Sequence, residues 1–164
     1  MRQSGTEQMD PTLNVVLVRP EIPPNTGNIG RLCCAVGARL HLVKPLGFHL
    51  DDRYLRRAGL DYWEKVDVLI WEDLEQFLAR VDPDRIVLTS SKRGEPYHRL
   101  RYEPGDYIVF GPETAGLQAE VFERFPERIA RVPVRLDQVR SLNLSTSAGI
   151  IVYEALKQTG RLPE

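Results

Sequence analysis

LNVVLV, residues 13–18, is a run that is apolar except at Asn14, rich in β-branched residues and closed by Pro20 two positions later, the signature of a strand buried on both faces. Strands of that kind belong to parallel sheets, where each crossover needs a helix-length return. The rest of the chain supplies such returns. After EIPPNTGN, read as turn-forming, residues 29–36 have helical character and Gly37 is a plausible C-cap. Strands are predicted at 40–43, 66–71, 85–89, 107–110 and 129–132. Helices are predicted at 51–58, 72–81, 119–125 and 144–158. The clearest is 72–81, where Leu74, Phe77, Leu78 and Val81 fall at helical spacing behind Glu72 and Asp73 in the first turn. Strands alternating with helices predict an α/β fold, a largely parallel sheet flanked by helices.

The length of 164 residues suits one domain, and such a chain buries roughly 70% of its unfolded surface. Residues 13–164 are read as that domain and the polar residues 1–12 as a frayed, disordered tail lacking the hydrophobic centre of a secretory signal. No apolar stretch approaches the ~20 residues of a membrane span, so no membrane association and a cytoplasmic location are expected. Cys33 and Cys34 are adjacent and have no further cysteine to pair with; both are expected as reduced thiols on a buried helix. His41, His49 and His98 share no metal-ligand spacing, so no metal is expected and each is read as a partly exposed polar side chain.

A formal net charge of −1 argues against a protein coated all round by nucleic acid. Basic residues nevertheless gather, as Arg53, Arg56 and Arg57 in DDRYLRRAG and as Lys92, Arg93, Arg99 and Arg101 in SKRGEPYHRLR. A solvated helix face accounts for the first group and a mobile loop for the second on composition alone.

In a parallel sheet, ligands sit beyond the carboxyl ends of the strands, and three loops following predicted strands are unusual. NTGNIGR has Gly27 and Gly30, which would let backbone approach a ligand, and Arg31 just inside the helix; a tight turn explains the same residues. FGPETAGL sets Glu113 between Gly111 and Gly116, either as a helix-start acid or as a ligand contact. RSLNLSTS offers Ser141, Asn143, Ser145, Thr146 and Ser147 ahead of an apolar helix that needs one of them as a cap.

Together PEIPPNTGNIGRLC, FGPETAGL and VRSLNLSTSAGIIVYEA resemble, in order, the three motifs of the SPOUT methyltransferases. Within that class they are most similar to the small tRNA (cytidine/uridine-2′-O-) wobble-nucleotide enzymes. RLHLVKPLGF and DDRYLRRAGLDYW extend the resemblance over most of the chain. The resemblance implies an α/β knot, a deep C-terminal trefoil in which the last helix threads a loop, and a homodimer with active sites near its interface. It implies S-adenosyl-L-methionine as cofactor and the anticodon arm of tRNA as partner, with methylation of the wobble ribose 2′-hydroxyl. Carried over by position, cofactor contacts fall on Thr89, Gly111, Val132 and Ser141, with Leu142 and Leu144 nearby. Asn25, Arg31, Glu113 and Asn143 would line the reaction centre, Arg31 near the partner's cofactor, and Arg53, Arg56, Arg57, Lys92 and Arg93 would contact RNA. The sequence departs from the pattern at Gly30, Cys34 and Leu142, and Arg93 looks like a one-residue insertion. Another tRNA or rRNA ribose, or a non-catalytic nucleotide-binding module, are the alternatives.

Overall fold

In a computed structural model of the chain, residues 10–164 are described, residues 59–61 by their backbone alone. Most of the expected tail, residues 1–9, lies outside the described residues. Its last residue, Thr12, is tied down: its N–H donates to Gly37 O at 3.1 Å and its hydroxyl to Val36 O at 2.9 Å.

Seven strands form one sheet: β1 (Asn14–Val18), β2 (Arg39–Val43), β3 (Val68–Trp71), β4 (Ile86–Thr89), β5 (Glu95–Pro96), β6 (Tyr107–Phe110) and β7 (Ile129–Arg131). Their order is β3-β2-β1-β6-β4-β7-β5, and every neighbouring pair is parallel. All five residues of β1 are buried because it is flanked by β2 and β6 and covered on both faces. Side chains alternate across the sheet. Leu13, Val15 and Leu17 join a core with Ile29, Cys33 and Val152, while Val16 and Val18 join a second core with Phe77 and Val121. Helices α1 (Pro23–Val36), α2 (Arg53–Gly59) and α5 (Leu144–Thr159) cover the first face, and α3 (Leu74–Arg80) and α4 (Ala119–Arg124) the second. Each fully buried Val or Leu contributes on the order of 1.5–3 kcal/mol over exposure.

The termini of these helices follow local chemistry. Asp73 caps α3 by accepting from Gln76 N at 2.7 Å, Asn143 caps α5 through Ser145 N at 2.9 Å, and Gly37 closes α1 at φ 74°. Contrary to expectation, EIPPNTGN is not a turn, since α1 begins at Pro23 and runs through Asn25, Thr26 and Gly27. Pro23 and Pro24 occupy the first turn, where a missing N–H costs no helical bond. Gly30 is likewise no ligand-facing glycine. A Cβ there would lie 2.8 Å from Cζ3 of Trp63, so its lack of side chain lets α1 seat on that buried indole in the 3-10 segment Leu60–Lys65. Both cysteines are free, Cys33 fully buried with burial pushing its thiol up, and Cys34 half-buried.

His41, expected to be partly exposed, is buried on β2 at 2% exposure, amid the rings of Trp71, Phe77 and Tyr107. Trp71 Nε1 donates to His41 Nδ1 at 3.1 Å, and His41 Nε2 lies 2.9 Å from Asn14 Oδ1. An indole nitrogen only donates, so Nδ1 must accept and Nε2 carries the proton toward Asn14. The Asn14 amide in turn donates to Gly105 O at 3.0 Å. This chain of bonds needs a neutral ring, and burial, with Arg39 adding to it, lowers the His41 pKa to about 3 from an ordinary 6.5. Stability contributed by the neutral ring is therefore complete above pH 6.5 and is lost as pH falls from there toward 3, at about 1.4 kcal/mol per pH unit. Urea unfolding measured between pH 7 and 4 should show a steeper loss for the wild type than for a His41→Gln variant. Parallel curves would mean that His41 does not carry this dependence.

Candidate functional site

The chain runs β1-β2-β3 toward one sheet edge, then returns to build β4 to β7 on the other side. In open α/β sheets a ligand crevice forms where the strand order reverses in this way. A cleft of about 640 Å³ opens at that place. Its walls are the residues after β4 (Thr89 to Arg93), the turn after β6 (Phe110 to Leu117), Val132 after β7, and residues 140–144 leading into α5. Ile22 and Asn25 close it from the start of α1. At the other end of β6, fully buried Asp106 accepts from Glu103 N at 2.8 Å and pairs with Arg128. That arrangement locks the amino end of β6, away from the cleft.

All six expected cofactor contacts, Thr89, Gly111, Val132, Ser141, Leu142 and Leu144, border this one cleft, although they come from four separate segments. The Thr89 hydroxyl is spent on Val109 O at 2.9 Å, so what it can offer a ligand is backbone. A Cβ on Gly111 would run into the backbone of Gly116 and Leu117, so glycine is required for the turn to fold back on the strand end.

Of the four expected reaction-centre residues, Asn25, Glu113 and Asn143 line the cleft and Arg31 does not. Six positions beyond Asn25, Arg31 lies about 9 Å further along α1 and well round its cylinder. Its guanidinium sits on the exposed surface, 5.3 Å from the centroid of the Tyr62 ring. Asn143 commits its Oδ1 to the N–H and hydroxyl of Ser145, the latter at 2.7 Å, leaving its NH₂ without a hydrogen bond among the described residues.

Glu113 turns out to be the missing cap of α1. Its carboxylate accepts from Glu21 N at 2.9 Å and Ile22 N at 2.6 Å, with Asn25 Nδ2 at 3.4 Å. Ile22 at the N-cap position has no side chain able to do this, so an acid 91 residues away in sequence satisfies the helix start. The contact is reciprocated, for Glu21 accepts from Thr114 N at 3.0 Å and Thr114 Oγ1 at 2.7 Å. The backbone bond from Thr114, then its hydroxyl, hold the Glu21 carboxyl below its usual range. Two loops are thus clasped at the cleft wall. Sequence reading found Glu113 and missed Glu21 and Thr114, which flank motif residues and carry no local pattern of their own.

The basic groups separate. Lys92 and Arg93 border the cleft, their N–H groups donating to Ser90 Oγ at 3.1 and 3.0 Å, and Arg93 lies 4.8 Å over the Phe122 ring. That segment is therefore a fixed turn followed by β5, not the loose loop that composition suggested. Arg140, which the sequence reading passed over, also borders the cleft. Arg53, Arg56 and Arg57 lie on the exposed side of α2, away from the cleft wall; Arg56 pairs with Glu64 and Arg53 donates to Tyr54 Oη at 2.8 Å. Among the described residues, no group of histidine, cysteine or acidic side chains could hold a metal ion, and no helix is long and apolar enough to cross a membrane.

Comparison with known proteins places this geometry. A tRNA (cytidine(34)-2′-O)-methyltransferase of Burkholderia ambifaria is 50% identical over 150 residues, covering 90% of this chain and 96% of that one. A structure solved in work on the 2-OH methylation of C/U34 on tRNA superposes with a TM-score of 0.82 at 41% identity, covering 89% and 95% of the two chains. An AdoMet-bound rRNA methyltransferase of Sinorhizobium meliloti superposes with a TM-score of 0.79 at 25% identity, over 91% of this chain and 57% of its own. The model of the SpoU rRNA methylase family matches residues 12–153. A parallel sheet with its cleft at the order reversal, three motifs around that cleft, and a family match over nearly the whole domain make this chain a member of the SpoU rRNA methylase family.

Proposed function

We propose that the chain transfers a methyl group from S-adenosylmethionine to the ribose 2′-hydroxyl of the wobble nucleotide, cytidine or uridine 34, of tRNA. The observation that carries this is the convergence of PEIPPNTGN, FGPETAGL and RSLNLSTS on one cleft, in a chain that spans 96% of a relative bearing that name. By contrast it spans only 57% of the rRNA enzyme, which favours the tRNA target over a ribosomal one.

The cleft suits the cofactor. Its volume of about 640 Å³ lies in the range of small-molecule sites, and its walls mix apolar Leu142, Leu144 and Val132 with the hydroxyl of Ser141 and the glycine turn at Gly111. Thr89, Gly111 and Val132 would hold it through backbone, Ser141 through its hydroxyl. Bound there, S-adenosylmethionine supplies a sulfonium methyl that is already electrophilic, so the protein's task is alignment and removal of one proton. The free NH₂ of Asn143 can donate to the ribose or its phosphate. Asn25, beside the Glu113 carboxylate, fixes the wall against which the ribose sits. Glu113 braces that wall, its oxygens already occupied by backbone N–H groups. Arg31 serves as a clamp on a substrate phosphate, which a guanidinium binds with a two-pronged fork of N–H donors. The proton passes to that phosphate, a water or a neighbouring side chain.

Arg31 lies outside its own chain's cleft wall, and this supports a homodimer in which each Arg31 serves the partner's site. The same reading includes the C-terminal trefoil knot, a domain over residues 13–164, and a cytoplasmic location with tRNA. Lys92 and Arg93 at the cleft mouth, and Arg53, Arg56 and Arg57 on α2, would meet tRNA phosphates. Neutralising Lys92 or Arg93 should reduce the slope of log affinity against log salt by about 1. Arg56, already offset by Glu64, should change it less. A slope that none of these substitutions alters would return the cluster to solvated surface. The function itself is tested by incubating undermethylated tRNA with labelled S-adenosylmethionine and mapping the modified nucleotide. Label on the ribose of nucleotide 34 is expected; label on a base, or on a ribose elsewhere, overturns the assignment.

A further inference from the structure

We infer that Tyr62 is a positioning residue for the reaction, the platform that aims Arg31. Among the described residues Arg31 has no carboxylate partner and no hydrogen bond, and its guanidinium lies 5.3 Å from the centroid of the Tyr62 ring. That pairing suits a phosphate clamp. An acidic partner would occupy the guanidinium's N–H donors and cancel its charge, whereas an aromatic face holds the cation by its quadrupole and leaves all five donors free. Tyr62 is 40% exposed and its hydroxyl makes no hydrogen bond among the described residues, so the ring face is what the fold presents. Lys65 approaches the same ring at 5.9 Å, adding a second cation to the spot where a phosphate would be drawn.

The platform is fixed from beneath. Trp63, the next residue, is buried at 7% exposure and packs against Gly30, whose missing Cβ leaves room for the indole. Gly30 precedes Arg31 in α1, and Trp63 follows Tyr62 in the 3-10 segment. One contact thus sets the position of the arginine and the tyrosine relative to each other. The departure from the family pattern at Gly30 is thereby explained: in this chain the pair Gly30 and Trp63 forms the joint on which Arg31 and Tyr62 meet.

This inference rests on the reading of Arg31 as a phosphate clamp, and the experiment separates the two. Methyl transfer to undermethylated tRNA is measured with the full-length chain carrying Tyr62→Leu, Tyr62→Phe, Arg31→Ala, or Arg31→Ala with Tyr62→Leu. For Tyr62→Leu, kcat should fall about two- to fivefold, the scale of an exposed cation–π contact. Its KM for S-adenosylmethionine should stay within about twofold, and its unfolding midpoint should be unchanged. Tyr62→Phe should restore kcat, and Tyr62→Leu should add nothing once Arg31 is alanine. Should the leucine variant misfold, Tyr62→Gln takes its place. An unchanged kcat, a phenylalanine variant as impaired as the leucine one, or a loss confined to the KM for tRNA would overturn the inference, the last by making Tyr62 a stacking surface for RNA. An active Arg31→Ala enzyme would instead defeat the clamp.

Discussion

Replacing Gly111 by alanine is expected to abolish measurable cofactor binding and to destabilise the protein by about 1–3 kcal/mol, the usual cost of forcing an extra methyl into packed structure. What the methyl would strike is the backbone of Gly116 and Leu117, not the end of a flexible side chain, so the turn itself must open. Opening it also pulls Glu113 from the N–H groups of Glu21 and Ile22, uncapping α1 at the same stroke. Gly116→Ala is the matched comparison. That glycine sits at φ +69° with open space around it, so alanine there brings only the strain of a left-handed conformation, about 1 kcal/mol. Calorimetric titration with S-adenosylmethionine and urea unfolding should rank Gly111→Ala well below Gly116→Ala. Equal behaviour would show that the close approach at Gly111 does not shape the cleft.

The second large effect is a gain. An Arg31→Ala chain and an Asn143→Asp chain should each keep only a small residual activity, yet mixed in equal amounts and allowed to exchange they should recover about a quarter of wild-type activity. Half of the dimers would be mixed, and each would carry one intact site if Arg31 is donated across the interface. Aspartate is chosen at 143 because it keeps the oxygen that caps α5 through Ser145 while removing the NH₂ donor, so the helix start survives. No recovery, with mixed dimers verified by mass, would put Arg31 and Asn143 of one chain in the same site and end the shared-site arrangement.

The strands flanking the cleft were legible because burial on both faces leaves a run of apolar, β-branched residues. β6 lies at residues 107–110 and β1 begins one residue inside the predicted apolar run. α3 was legible from its acids and spacing, which reflect its own cap and one buried stripe. The start of α1 was not, since its cap is a side chain from the far end of another loop and two prolines with a glycine mimic a turn. β5, two residues long, exists only through pairing with β7 and has no pattern to read. His41 was misplaced for a related reason: its burial depends on Asn14 and Trp71, each more than 25 residues away. Among site residues, Asn25, Glu113, Asn143 and the cofactor positions named by the motifs gathered at one cleft, while Arg31 fell outside it. Tyr62, Glu21, Thr114 and Arg140 went unnoticed because their roles come from neighbours that only folding supplies.

The strand order also sets a timetable for synthesis. β1 can join β2 as soon as residue 43 is available, but its other edge pairs with β6, whose residues 107–110 are made much later. At translation rates of about 5–20 residues per second, a nascent chain holds that edge open for on the order of several seconds. An unpaired strand that is apolar beyond Asn14 is a template for pairing with other chains. Aggregation during synthesis is therefore expected to begin at β1, and crowding of ribosomes on the message should worsen it.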